Sequence, residues 1–120
     1  MQEKNNIHPG SDQSESWHQR QLIQWCKQFE WGQFLFHIPN ERQQRMMALG
    51  VRPGVPDLML PIPMQGYHGL FIELKKPGGK VSEYQKKWNA ALNEAGYLAV
   101  YCYGWEDAAD VLVRYMGGSR

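Results

Sequence analysis

Apolar side chains recur along the chain at two periods. Leu22, Cys26 and Phe29 stand at i, i+4 and i+7 with Trp25 beside them, the stripe of an amphipathic helix. This spacing predicts a helix from about Ser11–Ser14 to Glu30, stopped by Gly32. A second stripe, Tyr84, Trp88, Ala91, Leu92 and Ala95, follows Ser82, and Gly96 is placed to end it. A third helix is expected from Trp105 to Met116. Between these lie runs of strand type: Phe34 to Ile38, closed by Pro39; Val55 to Leu60; Gly69 to Lys75; and Tyr97 to Tyr103. Asn40 to Leu49 can form a short helix ended by Gly50. The segments 61–68 and 76–79 are punctuated by Pro and Gly and read as turns. Residues 1–10 are polar, end in Pro9-Gly10 and read as a flexible arm, which leaves 11–116 as a single domain. The order α-β-(α)-β-β-α-β-α is that of an α/β fold, a four-stranded mixed sheet flanked by helices.

Composition narrows the function. The chain has 120 residues, 42% of them hydrophobic, enough for one ordinary core. No apolar run approaches the ~18 residues of a transmembrane helix, so no membrane role is expected. The first thirteen residues lack the apolar segment of a secretory signal. Cys26 and Cys102 form no C-x-x-C pair, which argues against a thiolate zinc site or a disulfide scaffold and for a reducing, cytoplasmic setting. His8, His18, His37 and His68 show no metalloprotease spacing, and no Gly-rich phosphate loop implies a nucleotide cofactor. Core packing accounts for the five tryptophans better than base stacking does.

A net charge of +1 argues against coating of nucleic acid by bulk charge, but the charge is uneven. Residues 71–90 carry five lysines and two glutamates, whereas 91–120 are net acidic. Lys76, Lys80, Lys86 and Lys87 are candidate contacts to nucleic-acid phosphates; a solvated helix face explains the same residues without function.

The third strand, Gly69-Leu70-Phe71-Ile72-Glu73-Leu74-Lys75, carries the chemistry. Alternation puts Leu70, Ile72 and Leu74 on one face and Phe71, Glu73 and Lys75 on the other. A carboxylate and an ammonium thus leave an otherwise apolar strand together, which is costly unless they are paired or liganded. If the 61–68 turn makes a hairpin, Asp57 of Val55-Pro56-Asp57-Leu58 lies across from Glu73. Two carboxylates that close repel, and a divalent cation such as Mg²⁺ or Mn²⁺ relieves the repulsion. Glu15 stands seven residues before Leu22, on the expected buried stripe, and could supply a third carboxylate, with the carbonyl of Leu74 and water completing an octahedral shell. Lys75 could then orient or deprotonate a bound water and offset phosphoryl charge, which makes phosphodiester hydrolysis the natural reaction. Structural alternatives stand beside each assignment. Glu73 and Lys75 also fit an exposed edge-strand pair, Asp57 a turn, and Glu15 a D-x-x-E cap with Asp12. Gln85 fits an S-x-x-Q cap opened by Ser82, a role compatible with facing a phosphate.

The ordered blocks Gly54-Val55-Pro56-Asp57-Leu58, Phe71-Ile72-Glu73-Leu74-Lys75 and Ser82-Glu83-Tyr84-Gln85 resemble the VRR-NUC family, virus-type replication-repair nucleases of the PD-(D/E)xK superfamily. Ile38-Pro39-Asn40-Glu41, Gly50-Val51-Arg52-Pro53-Gly54 and Glu15 with Gln19 extend the likeness over roughly residues 14–113. The resemblance implies a restriction-endonuclease-like α-β-β-β-α-β core and metal ligands at Glu15, Asp57, Glu73 and the Leu74 carbonyl. It also implies a catalytic lysine at Lys75 and a motif glutamine at Gln85. Some members of the family are the C-terminal part of a large DNA-repair nuclease, resembling the Fanconi-associated one; others are stand-alone proteins of phages and prophages. With no room for further domains, this chain looks like the second kind. That implies a bacterial cell as its setting, branched DNA, four-way junctions in particular, as its partner, and a homodimer as its acting form. Trp31, Phe34 and Phe36 are the residues expected to contribute to a dimer interface.

Overall fold

The computed structural model describes residues 12–39 and 44–118. The expected arm at 1–10 and the expected helix start at 40–43 lie outside the described residues. Helix α1 (Glu15–Cys26) is followed by a 3₁₀ turn (Glu30–Phe34), β1 (Phe36–His37), α2 (Gln44–Ala48), β2 (Leu58–Leu60) and β3 (Leu70–Lys75). Helix α3 (Glu83–Glu94), β4 (Leu98–Tyr103) and α4 (Trp105–Tyr115) complete the order. The sheet runs β1-β2-β3-β4. Its first three strands are antiparallel, with Phe36 opposite Met59 and Leu58 opposite Ile72. β4 is parallel to β3, from Leu70 opposite Leu98 to Lys75 opposite Tyr103. Helix α3 is the crossover that such a parallel neighbour needs. The expected four-stranded mixed sheet with flanking helices is the fold observed.

Alternation on β3 divides the molecule into two layers. Leu70, Ile72 and Leu74 join Leu58 and Leu60, Leu22 and Cys26 of α1, and Ala108, Ala109, Leu112 and Tyr115 of α4 in the main core. Burial there pushes the thiols of Cys26 and Cys102 up to about 12, so neither is a nucleophile. His18 is fully buried in this layer, and its Nδ1 accepts the N–H of Trp105 at 3.1 Å, serving an orphan donor at the start of α4. Phe71, Glu73 and Lys75 face the other way, toward α3. This second layer is thinner, for no residue of α3 is fully buried.

Three elements are clearly shorter than their patterns suggest: the strand expected over Phe34 to Ile38 is only Phe36–His37, because Phe34 closes the 3₁₀ turn, and α1 and β2 are shortened as well. α1 ends at Cys26, and the chain turns at Phe29 (φ −111°, ψ 143°). The Phe29 ring stacks on Trp31 with centroids 4.8 Å apart, so the residue that continues the stripe in sequence packs in an aromatic cluster outside the helix. The chain crosses the Cys26 carbonyl so closely at Gly32 that a side chain there would collide with it. β2 begins only at Leu58, because Pro56 has no N–H for the ladder and Gly54 turns the chain at φ +91°.

Gly54 sets the loop that delivers Asp57. A Cβ there would lie 2.6 Å from the Tyr84 backbone on α3. Gly54→Ala is therefore expected to cost about 2 kcal/mol, from both a positive φ and backbone overlap. Denaturant unfolding checks it, and a change under about 0.5 kcal/mol would place the loop elsewhere.

Candidate active site

β3 is an interior strand and all six of its residues are buried, so Glu73 and Lys75 are not an exposed edge pair. They are 3% and 7% exposed, and Lys75 Nζ lies 3.8 Å from Glu73 Oε2. The same Oε2 accepts a hydrogen bond from Gln85 Nε2 at 2.8 Å. Gln85 is oriented for this by its place at the start of α3. Its Oε1 accepts the Ser82 N–H at 2.8 Å while Ser82 Oγ accepts the Gln85 N–H at 3.2 Å, a reciprocal cap. With the oxygen committed to Ser82, the amide has only its NH₂ to present to Glu73. Capping and site roles coincide in one side chain.

Asp57 comes to the same place from the loop before β2. Its Oδ2 accepts the Leu74 N–H at 2.8 Å. Its carbonyl accepts the Ile38 N–H at 2.7 Å and lies 3.0 Å from His37 Nδ1, a bond when that nitrogen carries the proton. Continuing the β2–β3 register sets Pro56 opposite Leu74. Proline has no N–H to offer the Leu74 carbonyl across the ladder.

Both carboxyls are shifted. Burial pushes Glu73 up to about 8; the charge of Asp57 adds to this and the Lys75 ammonium opposes it. Burial also raises Asp57, against the Leu74 N–H, the bond with Glu73 and the charges of Lys75 and His37. When both are ionised neither can donate, and Glu73 Oε1 is then buried without a hydrogen-bond partner. A proton shared between them, residing on Glu73, is one remedy and a cation is the other.

This has a measurable consequence in chelator. Glu73 titrates near its ordinary 4.5 when unfolded and about 8 when folded, so between these values the native state holds more protons. Its stabilising effect is full below the lower value and lost as pH rises through the upper one. Thermal unfolding of the metal-free protein should show stability falling from about pH 5 to pH 8 relative to Glu73→Gln. Parallel curves for the two proteins would contradict the shift.

Residues 10–106 match the model of the VRR-NUC domain. The chain belongs to the VRR-NUC family. A solved structure titled "VRR_NUC domain protein" is similar to it at 30% identity and a TM-score of 0.81, covering 88% of this chain and 91% of that one. No curated protein matches significantly. The VRR-NUC domain is a nuclease-type, DNA-binding fold, and the cluster on β3 is where this copy of it gathers ionisable groups.

Other expected residues are placed differently in this VRR-NUC chain. Glu15 is exposed, not on the buried stripe. The cap of α1 is Ser14, whose Oγ accepts the Trp17 N–H at 3.0 Å, so Glu15 is the first helical residue and forms no cap with Asp12. The covered stripe begins one turn later, at His18. The charge of Glu15 still reaches Glu73 as a minor upward influence. Among the described residues, no three His, Cys, Asp or Glu side chains are gathered to hold a metal. Asp57, Glu73 and the Leu74 carbonyl are the hard oxygen donors in place.

Lys76, Lys80, Lys86 and Lys87 are exposed, on the turn after β3 and the first half of α3. Lys86 pairs with Glu83 at 3.2 Å. Trp31 is partly buried against the core and is not an exposed contact, whereas Phe34, just before the edge strand β1, and Phe36, within it, are 51% and 46% exposed. Among the described residues, no helix is long and apolar enough to cross a membrane.

Two neighbours of the site escape a motif reading. His37 reaches Asp57 because β1 pairs with β2, and Tyr101 stands opposite Glu73 on β4. Burial raises the Tyr101 hydroxyl, with Glu73 adding to it and Lys86 opposing. Both are set by strand register. Neither carries a local sequence signal that points to the site.

Proposed function

We propose that the protein is a metal-dependent, structure-selective DNA endonuclease that hydrolyses phosphodiester bonds, resolving four-way junctions as a homodimer. The observation that carries this reading is the buried Asp57–Glu73 pair with its unpartnered oxygen, backed by Lys75 and held by Gln85. Such a pair is expensive to maintain for stability alone. Its oxygen donors fit Mg²⁺ or Mn²⁺, held by Asp57, Glu73 and the Leu74 carbonyl, with Glu15 able to join through water or a side-chain shift. When bound, such an ion supplies Lewis acidity and a more acidic bound water.

The chain's own groups do the rest. Gln85 fixes the Glu73 carboxylate by one hydrogen bond and is itself fixed by Ser82. The Leu74 N–H fixes Asp57. Lys75 Nζ, beside Glu73, is placed to donate to a phosphate oxygen as negative charge builds at phosphorus. The exposed lysines hold the flanking phosphates. A two-fold dimer would present two such sites to a pseudo-symmetric junction, and exposed Phe34 and Phe36 supply apolar area for its interface.

Cleavage of a labelled four-way junction, set beside flap, single-stranded and duplex DNA, tests the substrate. Sedimentation of the free protein tests the dimer. Neutralising Lys80, Lys86 and Lys87 together should weaken junction binding and reduce the slope of log K against log salt by about 3. An unaltered slope would put the DNA on another face.

A further inference from the structure

A groove of about 370 Å³ lies between the loop before β2 and one face of α3, lined by Arg52, Pro53, Tyr84, Lys87, Trp88 and Ala91. We propose that this groove seats the base of an unpaired nucleotide next to the scissile bond, stacked on Tyr84 and Trp88, with its flanking phosphates held by Arg52 and Lys87. The inference rests on the nuclease reading for its DNA, but on different residues for its chemistry.

Three observations favour this occupant. The lining combines two aromatic rings with two cations and contains no acid, which complements a base bearing phosphates. Tyr84 is 52% exposed, on a helix whose apolar residues are nowhere fully covered. The groove is also formed by the same two segments that carry Asp57 and Gln85. Tyr84 precedes Gln85, which bonds Glu73, and Gly54 packs on the Tyr84 backbone three residues before Asp57. One wall is therefore the Asp57 loop and the other is the helix that holds Glu73. A paired base is locked in its stack and cannot reach such a surface, whereas an unpaired one at a branch point can.

The test is binding in chelator, where cutting does not interfere. The probes are a short single-stranded oligonucleotide carrying 2-aminopurine and its fully paired duplex. Ala91→Trp fills the groove from an exposed helix position, and Tyr84→Ala removes one ring. Each should weaken single-strand binding about tenfold, while Tyr84→Phe and all duplex affinities stay within about twofold of the parent. Circular dichroism confirms that each variant is folded. Equal losses on both probes, or unchanged single-strand affinity in folded Ala91→Trp and Tyr84→Ala, would overturn the proposal. So would conversion of a parental dimer to monomer by Ala91→Trp, since a second copy would then cover the groove. Cleavage is scored separately: a parent that binds as described but cuts no DNA with Mg²⁺ or Mn²⁺ removes the nuclease reading and leaves the groove standing.

Discussion

Replacing Lys75 with alanine should lower the turnover of DNA cleavage on the order of 10³-fold while changing junction affinity less than about threefold. The ammonium is almost fully buried beside Glu73, so it contributes little to the outer field that attracts DNA. On the proposed reading its influence is confined to the reacting phosphate, where the local dielectric is low and a preorganised charge acts strongly. Single-turnover cleavage measures the loss and a gel shift in chelator measures binding. Unchanged turnover would take Lys75 out of the mechanism. A parallel loss of binding would make it a DNA contact instead. Lys75→Arg keeps the charge but not the compact ammonium, and is expected to restore little activity.

The second large effect is at Asp57. Asp57→Ala should abolish detectable cutting and weaken Mn²⁺ binding, read by calorimetry, by at least about a hundredfold. The substitution removes one carboxylate of the pair and strips the Leu74 N–H of its partner. Asp57→Asn separates these two losses. Its side-chain oxygen can still accept the Leu74 N–H, so stability should stay near that of the parent, yet its neutral amide is a poor ligand and cutting should remain lost. Glu73 should also titrate lower in both variants, since the Asp57 charge contributes to its upward shift. Mn²⁺ affinity that survives in Asp57→Asn would assign the ion to other donors.

The parts of this molecule legible in its sequence are those fixed locally. Ser82 and Gln85 announce a capped helix start, and Gly96, at φ +99°, its end. The alternation of Leu70, Ile72 and Leu74 against Phe71, Glu73 and Lys75 depends only on the pleat, so the two faces of β3 follow once the strand is granted. The close approach of Asp57 to Glu73 is legible for the same reason, given a hairpin through the 61–68 turn.

What is not legible depends on tertiary choices. Glu15 keeps the seven-residue spacing of the stripe, but the stripe is buried only where α4 and the sheet cover it, and that cover begins at His18. Phe29 continues the period of α1 and is nevertheless spent on a stack with Trp31. Neither His37 beside Asp57 nor Tyr101 beside Glu73 has a local signal, because their neighbours are chosen by register across the sheet. The groove on α3 combines a loop and a helix separated by thirty residues, and its apolar period alone reads as ordinary core.

On the proposed reading, the carboxylate pair on β3 uses a divalent ion to break a phosphodiester bond. Titrating Mg²⁺ and Mn²⁺ into a labelled four-way junction bound by the intact protein tests it most directly. Cutting should appear with the ion, saturate, and vanish on chelation. A junction that stays bound and uncut at every concentration of either ion would contradict it and leave the protein a DNA-binding domain.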